Sequence, residues 1–194
     1  LDLCFCRQQL PILFIDQKAY YGYEINTDFQ SLTCSLTALQ YIEARQLLDM
    51  GAASLPLLAA VLYSGKGEYS SEKAQKLAQQ FRKLPANTLM AIALNFTAVN
   101  NFLFSKTEFS LLTQFAVQPG SCSITTDATD ALYDLSKDGL GNTRQVEQMN
   151  VLTYLRILRK KTIDGVKSLK ASGMEVAKIA TEVGLPIDII NKIV

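Results

Sequence analysis

The chain has 194 residues, 48% of them apolar, with 19 basic and 18 acidic side chains and no histidine. That apolar content buries a core of one domain, alone or with a small appendage, and the balanced charge leaves any pull toward nucleic acid or membrane to be local. The missing imidazole removes histidine-driven hydrolysis, histidine-ligated zinc and histidine proton shuttles.

In chain order, Cys4 and Cys6 come first, with Cys34 and Cys122 far off. This scatter forms no pair of C-x-x-C motifs and fits small apolar side chains in a reducing compartment rather than a metal site. The chain opens on Leu1, which fits a processed product or a piece of a longer reading frame. The run Leu10–Ile15 lacks the basic front and cleavage site of an export signal. Residues 10–30 read as short strands in a two-stranded ribbon, with Tyr20, Tyr21 and Tyr23 around Gly22 and a turn at Asn26, Thr27 and Asp28.

Helical signals sharpen at Leu36. Thr37 and Gln40 have the spacing of a capping box, Leu36 and Tyr41 that of a hydrophobic staple, and Gly51 supplies the stop. Ser54 is placed to cap an almost wholly apolar helix, LPLLAAVLY. Ser70 is placed to cap a third helix with a stripe of Ala74, Leu77, Ala78, Phe81 and Leu84, ended by Pro85. The apolar stretch Leu89–Phe104 is interrupted by Asn95, Thr97, Asn100 and Asn101, and reads as a buried core helix rather than a membrane span. Ser105 and Glu108, with Phe104 and Phe109, predict a further capped helix to about Val117, broken by Pro119-Gly120.

The last third is polarised. Asp127, Asp130, Asp134 and Asp138 fall on one face of a helix; strung out in this way they do not converge on a cation as a calcium loop does. Such a face is either solvated or docks on a basic helix of the same or a neighbouring copy. After Gly139 and Gly141, Asn142 and Gln145 predict the capped start of a long helix to about Ala171. Its second half carries Arg156, Arg159, Lys160, Lys161, Lys167 and Lys170 against Asp164, with an apolar stripe of Leu152, Leu155, Leu158, Val166 and Leu169. These cations are the candidate binding residues for phosphate, an acidic protein or an anionic lipid surface.

The closing residues, GMEVAKIATEVGLPIDIINKIV, resemble a helix-turn-helix. Ile179, Ala180, Val183, Gly184, Leu185, Ile190 and Ile193 stand where that motif needs core, crossing and turn residues. The second helix offers only Asp188, Asn191 and Lys192 as polar side chains and puts Ile187 and Ile189 where base contacts belong. It fits a packing pair better than a base reader, with Asn191 and Lys192 as its candidate contacts.

The blocks LTALQYIEARQLLD, LPLLAAVLY and YSSEKAQKLAQQFRKLP, within residues 32–115, resemble a small helical protein encoded among the tail and morphogenesis genes of Bacteroidetes-infecting, crAss-like tailed phages. Family members are similar to tail-assembly chaperones or virion-associated proteins. This chain reads LYSGKGEYSS where they tend to carry an arginine-proline pair and a longer insertion. The resemblance implies a non-enzymatic role in virion assembly, binding other phage structural proteins and itself, in the host cytoplasm or in the virion. The alternative function is nucleic-acid binding through the basic helix and terminal pair. No catalytic, cofactor or metal residues are assigned.

The expected fold is mainly α: a short N-terminal β element (1–35), a central multi-helix domain (36–118), and a C-terminal region (119–194) of acidic helix, long basic helix and helical pair.

Overall fold

The computed structural model describes residues 3–28, 31–65, 67–116 and 128–194. The protein is mainly helical, with two short N-terminal hairpins and nine α-helices among the described residues. It forms two compact units: one ends its first stretch at Phe102 and its second at Tyr154, and the other takes over at Leu103 and at Leu155.

The first unit opens with β1 (Ile12–Ile15) paired antiparallel to β2 (Lys18–Tyr21), Leu13 opposite Tyr20. Asp16 and Gln17 between them both take positive φ, 48° and 63°. Two successive left-handed residues give the turn whose twist matches that of the flanking strands. A second hairpin joins β3 (Ile25–Asp28) to β4 (Ser31–Cys34), Ile25 opposite Cys34. The turn expected at Asn26, Thr27 and Asp28 is therefore strand, and the single expected ribbon is two hairpins. Burial of Ile25 and Cys34 holds this pair in place while Asn26 and Thr27 face solvent.

Helix α1 (Ala38–Asp49) starts with the expected capping box: the Gln40 amide N–H donates to Thr37 Oγ1 at 3.2 Å, and the Thr37 N–H donates to Gln40 Oε1 at 2.9 Å. The same Gln40 side chain donates to Ser64 Oγ at 2.8 Å and to Val61 O at 3.3 Å, so one residue caps α1 and ties down the end of α2 (Leu55–Leu62). Ser54 does not cap α2. Residues Ala52–Ser54 form a 3-10 turn, and Ser54 Oγ donates to Leu47 O at 2.5 Å and Gly51 O at 2.6 Å, closing the end of α1 instead. Helix α3 (Ser71–Phe81) has Ser70 at its cap position with no side-chain hydrogen bond.

Two phenylalanines centre this unit's core. Phe81 meets Tyr20 at 5.2 Å between ring centroids and Tyr63 at 5.9 Å, and Phe96 meets Tyr23 and Tyr41 at 6.1 Å each. Such tilted and edge-to-face pairs add to plain burial. The first hairpin is pinned where Tyr63 Oη donates to Leu10 O at 2.5 Å and Tyr23 N donates to Leu62 O at 3.0 Å. Gly22 makes that approach feasible: a Cβ there would lie 3.0 Å from the Tyr63 ring.

Helix α4 (Ala86–Lys106) is, by length and composition, long and apolar enough to cross a membrane, yet half of its most apolar window is buried inside the protein. Its asparagines find partners in the chain. Asn95 Nδ2 donates to Arg7 O at 3.1 Å, Asn101 Nδ2 to Leu3 O at 2.8 Å, and Asn100 Oδ1 accepts from Tyr41 Oη at 2.9 Å. The N-terminal segment is thereby laid along the helix.

Helix α5 (Ala128–Lys137) is followed by α6 (Thr143–Glu147). The Asn142–Gln145 capping box forms, but the long helix expected from it stops after one short turn and restarts as α7 (Val151–Ala171). Tertiary contacts cause the break. Gln148 donates to Tyr69 O at 2.8 Å and accepts from Tyr69 N at 2.9 Å, while Asn150 Nδ2 donates to Cys34 O at 2.6 Å and its Oδ1 accepts from Leu152 N at 3.0 Å.

The second unit joins the end of α4, a 3-10 stretch (Glu108–Ala116), α7 from Leu155, α8 (Val176–Val183) and α9 (Ile187–Ile193). The capping box expected at Ser105 and Glu108 does not form, because α4 continues through Ser105 to Lys106. The part of that helix expected beyond Ala116 lies outside the described residues. Val166, Ile179, Leu185 and Ile190 make the core, with Leu111, Leu169, Met174 and Ile193 packed on it. Gly184, at φ 70°, takes the left-handed conformation that ends α8.

Phe81→Ala removes the ring shared by Tyr20 and Tyr63 and is expected to cost about 3–5 kcal/mol in urea denaturation. Burial also pushes the Cys34 thiol up to about 12 and raises the Tyr41 phenol. The unfolded thiol ionises near pH ~8.5 and the unfolded phenol near ~10, so above pH ~8.5 the unfolded state binds fewer protons. The contribution of these two groups to stability is therefore full below pH ~8.5 and falls as the pH rises toward 12. Urea midpoints at pH 8 and at pH 10.5 check this, and Cys34→Ala flattens the first part of the decline.

Candidate binding surfaces

On α7 the basic residues separate by direction. At 3.6 residues per turn, Arg156, Lys160, Lys167 and Lys170 fall within an arc of about 80° and extend over about 21 Å of axis. Lys161 points roughly 100° away from Lys160 and has an interaction of its own. Arg156 Nε donates to Glu108 Oε1 at 3.1 Å, and Arg159 Nη1 lies 3.8 Å from Glu108 Oε2. Glu108, expected as half of a helix cap, instead pairs with these two arginines and offsets part of their charge. Lys160, Lys167 and Lys170 are exposed and outside every ion pair among the described residues.

Asp164 sits within a turn of Lys160 and Lys167 without pairing to either. Lys160 stands four residues before the acid, the weaker order for a helical ion pair, whereas Lys167, three residues after it, has the better order and is still unpaired. The flank of α7 beside Lys170 is occupied: Val166, about 40° from Lys170 around the helix, is fully buried, and Leu169 packs on the same cluster. Asn191 and Lys192 are exposed on α9, a separate helix. Ile189, expected to face outward, packs on the core, whereas Ile187 is 51% exposed.

A second surface lies on the first hairpin. Leu13, Ile15 and Tyr20 are buried, while Ile12, Phe14 and Tyr21 on the other side are 43%, 70% and 58% exposed. The register sets Ile12 opposite Tyr21 and Phe14 opposite Ala19, so these four share one apolar face. β1 and β2 pair only with each other among the described residues, so no further strand lies on either outer edge there. The signal was in the sequence. An unbroken run such as PILFI fits a strand covered on both sides, not one with a polar face.

Elsewhere polar groups serve the fold. Tyr69 Oη and Ser71 Oγ both donate to Glu43, and Arg144 Nε donates to Glu68 at 2.6 Å. Burial and the Glu43 carboxylate push the Tyr69 phenol up. Of the acidic face, Asp134 and Asp138 are exposed; Asp127 and the Asp130 side chain lie outside the described residues. Among the described residues no three histidine, cysteine, aspartate or glutamate side chains could hold a metal ion. Comparison with protein-family models, curated proteins and solved structures gives no match to this chain.

Because the Glu108 pairs are half exposed, Glu108→Gln is expected to change stability by no more than about 1 kcal/mol. Ile190→Ala opens the core of the second unit and should cost about 2–5 kcal/mol. Denaturation of the two variants side by side tests whether packing or charge holds that unit.

Proposed function

We propose that the chain is a non-enzymatic protein-binding component of tailed-phage morphogenesis, similar in role to a tail-assembly chaperone or a virion-associated protein. It acts in the host cytoplasm during assembly. What supports this reading is the first hairpin, which is apolar on both faces and has one of them uncovered.

A two-stranded ribbon is marginal in water, and an uncovered apolar face beside edges without a further strand is a template for another strand. The occupant is an apolar segment of a phage structural protein, added along the edge of the hairpin so that main-chain bonds supply affinity and Ile12, Phe14 and Tyr21 supply contact area. The composition is consistent with such a role, since imidazole chemistry is absent from the whole chain. Self-association through the same face is the homotypic form of this contact.

The test is co-expression with the tail-tube and tape-measure proteins encoded beside such genes. The wild-type chain is expected to keep one of them soluble, and the double variant Phe14→Glu, Tyr21→Glu to remain folded and lose most of that effect. If the wild type solubilises none of them, or the double variant works as well, the reading is wrong.

A further inference from the structure

We infer that the second unit carries a sequence-independent binding surface for the phosphate backbone of duplex nucleic acid, formed by Arg156, Lys160, Lys167 and Lys170 on the outer face of α7. It rests on the second unit alone, so it stands or falls separately from the hairpin reading.

Three observations select the partner. First, the cations are regularly spaced at four, seven and three residues along one face, a line of about 21 Å. A duplex presents a negative charge about every 1.7 Å of its axis, counted over both strands, so a row of cations of this length faces a dense phosphate charge. Second, among the described residues the face offers no aromatic or methionine anchor for a protein. Protein interfaces favour aromatic side chains, methionine and arginine and are depleted in lysine. Three of these four residues are lysine, and Tyr154, the only aromatic residue of α7, is buried.

Third, the geometry argues against a lipid surface. An amphipathic helix binds a membrane by burying its apolar face in the headgroup boundary. Here that face is spent within the protein: Val166 and Leu169 pack with Ile179, Leu185 and Ile190. What remains exposed along this stretch is mainly polar: the three lysines, with Asp164 and Ser168 among them.

The same structure explains why the contact reads no sequence. Base recognition needs side chains such as arginine, asparagine or glutamine aimed at base edges. The exposed positions of α9 are Ile187, Asp188, Asn191 and Lys192, one of them aliphatic and one acidic. Glu108 holds Arg156 and draws Arg159 aside, which leaves Lys160, Lys167 and Lys170 as the main phosphate contacts.

Fluorescence anisotropy of the full chain with two 30-bp DNA duplexes of unrelated sequence tests this. The wild type is expected to bind both alike at low salt, with three lysine contacts contributing about 2.7 to the slope of log affinity against log salt. The triple variant K160Q/K167Q/K170Q should lose most of that slope, while the charge-matched triple K18Q/K73Q/K76Q keeps it. Circular dichroism confirms that both variants are folded. The inference is overturned by absent binding, by equal losses in the two triples, or by strong preference for one duplex. It is also overturned if poly-glutamate or anionic phosphatidylserine vesicles are bound more tightly than the duplex.

Discussion

The first unit depends on a clamp between two segments more than a hundred residues apart. Ala38 N donates to Met149 O at 2.7 Å, Val151 N donates to Leu36 O at 3.0 Å, and Asn150 Nδ2 reaches Cys34 O at 2.6 Å. These bonds join the end of β4 and the start of α1 to the start of α7, with Thr37 and Asn150 bridged in strand fashion. Each bond contributes only about 1 kcal/mol net, but leaving such buried groups unmatched would cost more. The clamp therefore determines where α7 begins. Around it sit Leu36, Ala38, Val151 and Leu152, all buried, so the polar bonds lie within an apolar surround.

Local signals were legible in the sequence and nonlocal ones were not. The capping boxes at Thr37–Gln40 and Asn142–Gln145 are visible because both partners lie three residues apart, and both form. The same logic failed at Ser54 and at Ser105–Glu108, where a chemically suitable serine found a better use or the helix had a reason to continue. Ser54 is drawn to the open carbonyls at the end of α1. At Thr107, Oγ1 donates to Leu103 O and accepts from Phe109 N at 3.2 Å, so the chain tightens into a 3-10 path one turn later than expected. The break between α6 and α7 has no local signature at all, because Gln148 and Asn150 are held by Tyr69 and Cys34.

The binding surfaces divide in the same way. Spacing alone identifies the cations of α7 and the core of the terminal pair, since both are helical periodicities. Which cations stay available depends on Glu108, 48 residues before Arg156, and no pattern predicts that. For the hairpin the obstacle was register. Only the pairing of Phe14 with Ala19 and Ile12 with Tyr21 reveals that one apolar set faces the core and a second faces out.

One polar contact bears on how the chain tolerates change. Tyr69 is held through both its N–H and its carbonyl by the side chain of Gln148, 79 positions later, so an amide stands in for a neighbouring strand residue. The entry to α3 is positioned from outside its own loop. Between Tyr63 and Tyr69 the number of residues therefore has little influence on where α3 starts, and loop closure grows costlier only slowly with length. That stretch is where added or deleted residues would leave the register of the helices on either side unchanged.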